Sequence, residues 1–391
     1  MLTDARFKFA LECLKKCIMM KPKNNIFFSP HLLYHKLLLV YFGALYDLEC
    51  TLKELLHIPD TSKRIIEEYY ANEGGNHFCY VENGSNNSYT CRIYYKIMID
   101  TSKELFIDTL TLHSATNSVK EYTFNIYADL VRNFVNNIVT CTTQRYIENL
   151  LPPNSIDKNT EIIMLNTIYV EGQNHKENYD DLDELHEDTL LAKHIKCKNK
   201  NFNNDKSEHL DAFITEVPCK EKKITTFYLY PANQSELEED ILREIEKLIE
   251  LVEQLTTEEG SQELRNLLDN GVNGVAFPIV IKNTVIEHDL PIYELFDKLG
   301  IPDFTPDLCT AQIDDYSFNS VKLGDIIHRV SINMTSKNIV ATASNVLFTY
   351  NGYKHTPKIP EDANVVFPCI CLIYDRIHRN MLFCGILWER N

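Results

Sequence analysis

The sequence has 391 residues, of which 44% are hydrophobic and 24% charged, and its formal net charge is −17. This balance is typical of a globular protein with a large apolar core, and the 12 glycines and 14 prolines are too few for fibrous or low-complexity classes. So negative a chain repels polyanions, which disfavours nucleic acid, anionic membranes and heparin-like polysaccharides as partners.

Two further features narrow the class. No apolar run approaches the roughly 20 residues that a membrane-spanning helix needs. The 12 cysteines include no C-x-x-C pair and lie mostly in apolar segments. We therefore expect buried free thiols that act as packing residues, rather than a disulfide framework.

The N-terminal half mixes helices and strands. Ser29-Pro30 follows the apolar run Ile26-Phe27-Phe28 and has the residue types of a helix N-cap and a first-turn proline. The continuous apolar run at 161–170 is typical of a central strand that is buried on both faces. Periodicity predicts further helices at 3–20, 47–57, 103–114 and 127–150, and a strand at 90–99.

The C-terminal half is rich in strands. Ser235 and Glu238 have the spacing of a capping box and open an amphipathic helix, whereas residues 173–206 are polar and predicted to be irregular. Because helices and strands do not alternate regularly and no linker is visible, we predict an α+β fold in a single domain, 1–391. The predicted strands lie at 224–230, 274–281, 330–334, 366–374 and 381–387.

One segment does not fit an ordinary compact domain. Residues 345–364 contain Asn351-Gly352, two prolines and an acidic pair, without helical or alternating periodicity. Residues 338–344 before it are small or β-branched and favour a strand. A structureless loop of this length is usually functional or disordered. It is either bait for a protease or a long variable loop after an edge strand.

Motifs in order along the chain give it a resemblance to the serpin family from end to end. Those at 38–44 and 372–375 most resemble arthropod serpins. The matching stretches are Asn25-Ile26-Phe27-Phe28-Ser29-Pro30, 38–44, Asn136, Val139 and Thr143 leading into 147–152, Leu165-Asn166-Thr167-Ile168-Tyr169, 299–301, 304–314, His328-Arg329-Val330, 367–373 and Leu382-Phe383-Cys384-Gly385.

The resemblance implies a three-sheet α+β fold with about nine helices and an exposed reactive-centre loop at about 336–364. Serpins are metastable. A target protease cleaves the loop and forms an acyl-enzyme, and the loop then inserts into the largest sheet, sheet A, as a new strand. The inserted strand gains hydrogen bonds and buried area as stored strain is released.

The resemblance also places a shutter at Ser29, Asn166 and His328, beneath the strands that open. We expect Asn166 and His328 to hydrogen-bond across two strands of sheet A as a latch. Taken without the resemblance, His328 is a core histidine with satisfied hydrogen bonds.

The hinge of the loop departs from the family pattern. Ser336, Asn338 and Ile339 stand where the family has an acidic residue, glycine and threonine. Asn338 lacks a glycine's freedom to turn, and we expect Ile339 to overpack the sheet at a cost of roughly 1–3 kcal/mol. Ala341 and Ala343 keep the small side chains that insertion requires.

Family spacing places the reactive bond near Gly352-Tyr353. Recognition of Tyr353 or Tyr350 by the primary pocket fits a chymotrypsin-like or cathepsin-like protease. Recognition of Lys354 fits a trypsin-like one.

The sequence favours no catalytic activity, metal site or cofactor. His194-x-x-Cys197, with His186 and His209 nearby, lacks the paired spacing of a structural zinc site, and no nucleophile elbow or phosphate-binding loop is present. Two functions remain: a protease inhibitor that acts by cleavage and insertion of its loop, and a non-inhibitory serpin that binds a ligand or protein as a carrier or chaperone.

We expect a monomer whose partner is the target protease. The family prior predicts a secreted, extracellular protein. A cytoplasmic location is the alternative, because the chain shows no secretory signal at its start.

Overall fold

The computed structural model describes most of the chain. The described residues are 2–44, 46–74, 79–83, 88–102, 119–174, 189–197, 210, 212–231, 241–272, 276–280, 283–301, 307–314, 317–335, 337–349, 355–359 and 367–389. Among them no helix combines the length and the apolar character needed to cross a membrane. Every cysteine whose side chain is described is a free thiol, and all but Cys50 and Cys141 are buried.

Eight helices occur in the described residues. The second is apolar on nearly all sides and almost wholly buried. It begins at Pro30 as the sequence predicted, because the Ser29 hydroxyl oxygen accepts a hydrogen bond from the Leu32 N–H at 3.3 Å. The helices are α1 (Leu2–Met20), α2 (Pro30–Gly43), α3 (Tyr46–Leu55), α4 (Lys63–Gly74), α5 (Phe124–Thr142), α6 (Ile241–Leu255), α7 (Glu258–Asn270) and α8 (Ile292–Lys298).

The described strands form two hydrogen-bonded sheets. The eight-stranded sheet, called sheet A here, has the order β10-β12-β13-β5-β3-β2, with β11 paired to β12 and β4 to β3. The other has the order β1-β15-β14-β8-β7-β6-β9. The strands are β1 (Ile26–Phe28), β2 (Cys79–Asn83), β3 (Tyr89–Asp100), β4 (Val119–Tyr122), β5 (Ile162–Gln173), β6 (Thr189–Cys197), β7 (Ala212–Pro218), β8 (Ile224–Pro231), β9 (Ala276–Val280), β10 (Thr284–Asp289), β11 (Asp307–Asp314), β12 (Ser317–Met334), β13 (Asn338–Thr349), β14 (Phe367–Asp375) and β15 (Asn380–Glu389).

One predicted helix boundary and one predicted irregular segment are wrong. Helix α5 ends at Thr142 rather than at residue 150. The chain turns there because Gln144 and Arg145 adopt positive φ angles of 50° and 70°, which no helix continues. Residues 173–206 were expected to be irregular, but they include strand β6, which pairs with β7 and β9. The helix predicted at 103–114 lies outside the described residues.

The largest difference from expectation concerns the segment predicted to be an exposed loop. Residues 338–349 form β13, an antiparallel strand between β12 and β5 in the middle of sheet A. The prediction of irregular chain from residue 345 is wrong for 345–349. The physical reason is that Val346, Leu347 and Phe348 continue the apolar pattern beyond the polar Asn345, and both faces of the sheet are covered here.

Candidate functional site

The candidate site is the inserted arm, defined as residues 338–349, together with the groups that contact it. The arm pairs with β12 on one side and β5 on the other along almost its whole length. It leaves β12 through a tight turn in which the Thr335 N–H donates to the Asn338 carbonyl oxygen at 2.9 Å. Every residue from 339 to 349 is buried.

The two faces of the arm contact different layers. Ile339, Ala341, Ala343 and Leu347 lie in the main core. The side chains at 346 and 348 pack in a second core cluster that includes residues of α5. Ala341 and Ala343 are 1% and 0% exposed, so two small side chains occupy fully buried positions on this face, where larger ones would have to displace packed neighbours.

Polar groups on the α5-facing side are paired to the neighbouring strand. The Thr342 hydroxyl donates to the Ile168 carbonyl oxygen at 2.7 Å, and the hydroxyls of Ser344 and Thr167 are 3.2 Å apart. At the end of the arm, the Thr349 hydroxyl oxygen accepts from the backbone N–H of Ile162 at 3.0 Å. These contacts satisfy the groups that burial removes from water.

The expected overpacking by Ile339 is not what the structure shows. Ile339 lies directly opposite Gly172 of β5, which has no side chain to compete with it. A Cβ at Gly172 would be 2.3 Å from the Cys219 sulfur and 3.7 Å from Ile339 Cγ2. The glycine therefore leaves room that Ile339 and Cys219 share.

Asn338 also departs from expectation, because the turn does not require a glycine. Its φ is not positive. Its Oδ1 accepts from the Thr335 hydroxyl at 2.8 Å, and its N–H donates to the same hydroxyl oxygen at 3.0 Å. Asn174 donates from Nδ2 to the Thr335 carbonyl oxygen at 3.0 Å. Ser336, also predicted for the hinge, lies outside the described residues.

The structure brings the three predicted shutter residues close to one another without the predicted latch. The Ser29 N–H donates to His328 Nε2 at 3.2 Å, and Asn166 Nδ2 donates to the Leu32 carbonyl oxygen at 2.9 Å. The predicted bond between Asn166 and His328 is wrong for this structure, because β13 separates their strands and places Asn345 between them.

Burial favours the neutral forms of the ionisable side chains around the shutter. Desolvation lowers the pKa of His328 to about 3, and it also lowers the pKa of His288, whose Nε2 accepts from the Phe27 N–H at 2.9 Å. Burial likewise brings the pKa of Lys36 well below its ordinary value, and its Nζ donates to the Met164 carbonyl oxygen at 2.5 Å. Both histidines must be neutral at Nε2 to accept these bonds.

The chain beyond the arm is anchored by a buried carboxylate, which sequence reasoning missed. Asp289, at the end of β10, accepts from Arg329 at 2.7 and 2.9 Å and from the Lys358 N–H at 2.8 Å, and its carboxylate is 2.9 Å from His355 Nε2. The Asp289 N–H donates to the Lys358 carbonyl oxygen at 2.9 Å. Burial favours a raised pKa for Asp289, but the bonds from His355 and Arg329 outweigh it and hold the pKa well below the usual range.

Several predicted residues lie outside the described chain. These are the reactive-bond candidates Tyr350, Gly352, Tyr353 and Lys354, and the histidines His186 and His209. In the part of the chain that the structure describes, no three His, Cys, Asp or Glu side chains are arranged to hold a metal ion.

The family profile described as Serpin (serine protease inhibitor) matches residues 4–389. This chain belongs to the serpin family. Serine protease inhibitor 88Ea of Drosophila melanogaster is 24% identical over 411 residues, covering 97% of this chain and 88% of that protein. Two solved serpin structures share the fold. Cleaved Serpin 42Da has a TM-score of 0.70 at 17% identity, covering 100% of this chain and 99% of that one. A loop-inserted, cleaved ovalbumin mutant has a TM-score of 0.66 at 15% identity, covering 99% of each chain.

For this serpin, replacing Ile339 with alanine tests whether the side chain fits or overpacks. We expect Ile339→Ala to destabilise the inserted form by about 2–4 kcal/mol, because it removes buried methyl groups that fill the space above Gly172. Urea unfolding of protein with the arm inserted measures the effect, with Ile377→Ala, at a residue that is 53% exposed, as the control. A more stable Ile339→Ala protein would show that the isoleucine is overpacked.

The buried histidines predict acid sensitivity. The lowered pKa of His328 means that the unfolded chain binds a proton that the folded serpin does not. The stabilising contribution is therefore complete above about pH 6.5 and is lost as the pH falls toward about 3. We expect the melting temperature to fall over this window, and His328→Gln to reduce the slope.

His378 supplies a control of opposite sign. Its hydrogen bond to Asp375 raises its pKa, so its contribution is complete below the unfolded pKa and is lost as the pH rises through the folded one. His378→Gln should leave the acid slope no shallower. A wild-type melting temperature that does not change between pH 7 and pH 4 would contradict the assignment of neutral buried histidines.

The Asp289 anchor predicts protection of the segment at 355–359. His355→Gln removes the side-chain contact but leaves the Asp289–Arg329 pair, so we expect faster proteolysis at Lys358 with a small change in melting temperature. Asp289→Asn leaves Arg329 buried without a counter-charge and should cost about 3–5 kcal/mol. Equal cleavage rates in wild type and both variants would show that the anchor does not form.

Proposed function

We propose that this serpin inhibits a protease by inserting its cleaved reactive arm into sheet A. The observation that carries the proposal is the fit of residues 338–349 as a twelve-residue strand with partners on both sides and its side chains accommodated on both faces. Serpins generally inhibit proteases, and the name of the fly relative, Serine protease inhibitor 88Ea, supports a serine protease as the target class.

The inhibitory mechanism requires that insertion outpace deacylation. The driving force is the burial of the arm's apolar side chains together with new backbone hydrogen bonds on both of its edges. The hinge favours insertion because the side chains of Ala341 and Ala343 are small, so little volume has to pass between the strands as the sheet opens. On this proposal the active molecule holds the arm outside the sheet, and the described structure is the end state.

The target specificity depends on the residue next to the reactive bond. Tyr350 or Tyr353 would direct the arm to a chymotrypsin-like or cathepsin-like pocket, and Lys354 to a trypsin-like one. Mass measurement of the C-terminal fragment released after cleavage identifies the bond, and with it the target class.

The test is incubation of the full chain with chymotrypsin, trypsin and a cysteine cathepsin at equal molar amounts. We expect one of them to form a covalent complex that resists SDS. In Ala343→Arg, insertion would bury an unpaired charge. We therefore expect cleavage of this variant without complex, a loss of inhibition of at least roughly tenfold.

Gln262→Arg places the same charge on the exposed surface of α7 and should inhibit like the wild type. If the wild type is cleaved and every protease keeps its activity, the inhibitory proposal is wrong. That outcome would favour the non-inhibitory alternative, a serpin that acts by binding a ligand or a protein.

A further inference from the structure

Three large apolar side chains are exposed together at the start of α5. Ile126, Tyr127 and Leu130 are 68%, 49% and 60% exposed. Residues at i, i+1 and i+4 of a helix lie next to one another, so the three form one patch, called the α5 patch here. Large apolar side chains exposed singly are ordinary on a protein surface, whereas a cluster of them indicates a surface that another molecule covers.

The apolar exposure is confined to this end of the helix. Val131, Val135 and Val139 are fully buried in the cluster between α5 and sheet A. Further along the outer face, the exposed positions are Asn133 and Asn137. The other large apolar side chains that the described residues expose lie on seven different helices, strands or connections: Met19, Ile65, Leu242, Val285, Tyr293, Ile359 and Ile377. In the described chain, only α5 presents three of them on one element.

The patch lies at the edge of sheet A where the arm ends. The Thr349 hydroxyl oxygen accepts from the Glu161 N–H at 2.8 Å, and the Glu161 carbonyl oxygen accepts from the Asp100 N–H at 2.8 Å. Asp100 Oδ2 in turn accepts from the N–H of Phe124, the first residue of α5, at 3.0 Å. These bonds link the end of the arm to the start of α5 across two strand spacings, about 10 Å. The patch follows within about 9 Å along the helix.

The length of chain beyond Thr349 determines what is brought to this edge. In the proposed function, the protease nucleophile is bonded to the carbonyl carbon of the residue before the reactive bond, and the candidates lie between Tyr350 and Lys354. One to five residues therefore separate Thr349 from the protease, a tether of at most about 17 Å. A protease of about 230 residues has a radius of gyration of about 17 Å. A tether no longer than this holds the active-site face of the protease over this edge, within reach of the patch.

We propose that the α5 patch is a docking surface for the active-site face of the protease carried at the end of the inserted arm. The proposal rests on the proposed function, because only a covalently held protease is brought to this edge. The apolar character of the patch suits that partner, since substrate pockets are lined mostly by apolar side chains. The patch is uncovered in the serpin alone because its partner arrives only after cleavage and insertion.

Docking at the patch would prolong the covalent complex. Release of the protease requires water to add to the acyl carbonyl carbon, which leaves a carboxyl group on the arm and returns a proton to the protease nucleophile. That step depends on the placement of the protease's catalytic base and oxyanion donors, and a displacement of about 1 Å can cost about a hundredfold in rate. A contact that holds the active-site face away from its productive arrangement therefore slows release.

The test uses the full chain carrying Ile126→Gln together with Leu130→Gln, and the protease that the preceding experiment identifies. Glutamine is at least as good a helix former as isoleucine, and both side chains are mostly exposed, so the free serpin should keep its melting temperature. We expect the SDS-resistant complex to break down into active protease and cleaved serpin roughly tenfold faster than the wild-type complex. The control variant, Leu242→Gln with Ile377→Gln, makes the same kind of change at exposed positions of α6 and of the turn between β14 and β15 and should match the wild type.

Hydrogen exchange provides a readout that a change in insertion would not move. In the wild type, peptides spanning residues 124–131 should exchange more slowly in the covalent complex than in the cleaved serpin without protease. The rise in melting temperature on cleavage should be the same in the patch variant and the wild type, because insertion of the arm does not involve the patch.

The outcomes separate docking from the proposed function. If the wild type forms the complex but the patch variant's complex lasts as long, or residues 124–131 gain no protection, docking is wrong and the inhibitory mechanism stands. If the free variant melts at a lower temperature, the patch packs against the serpin itself and the proposal is wrong. It is also wrong if sedimentation shows a wild-type dimer that the variant loses. If the wild type forms no complex, the proposed function fails and docking fails with it.

Discussion

The central constraint on this molecule is that sheet A accommodates a twelve-residue strand that is buried on both faces. A strand in that position must pack against the main core on one side and the α5 layer on the other. The chain meets the constraint with small side chains at two buried positions, Ala341 and Ala343. Near the hinge, the larger Ile339 lies opposite Gly172, which has no side chain to compete for the space. Packing of this kind tolerates little added volume.

Burial also governs the polar groups. His328, His288 and Lys36 lie so deep that desolvation favours their neutral forms, and the two histidines act as hydrogen-bond acceptors for the backbone at the start of α2 and in β1. Asp289 is the opposite case, since its charge is kept by Arg329 and by donors from the chain beyond the arm. One side of sheet A is thus held by neutral bonds to α2, while an ionic anchor fixes the segment that leaves the arm.

Much of the fold could be predicted from residue types and their spacing in the sequence. The Ser29 cap, the apolar run of β5 and the two terminal strands β14 and β15 each follow from residue type and spacing, and the structure confirms them. Residues 338–344 were correctly seen to favour a strand. The Asn351-Gly352 pair and the prolines further on, however, led to an irregular prediction from residue 345, although the strand continues to Thr349.

The missed features are contacts between residues far apart in the chain. That Gly172 leaves room for the Ile339 side chain can be recognised only when the register of β5 and β13 is known. The contact between Asp289 and Lys358 joins segments far apart in the chain, and no sequence periodicity indicates it. The expected bond between Asn166 and His328 fails for a related reason. Whether two strands are neighbours depends on whether a third lies between them, which is a property of the conformational state rather than of local sequence.

The central claim is that the arm forms β13 as the end state of a transition that cleavage permits. Hydrogen exchange measured on peptides spanning residues 338–349, before and after cleavage of the arm, tests it most directly. The account predicts rapid exchange in the freshly folded intact protein and strong protection after cleavage, when the amides bond to β5 and β12. Equal protection before and after cleavage, or exposed amides after it, would contradict the account.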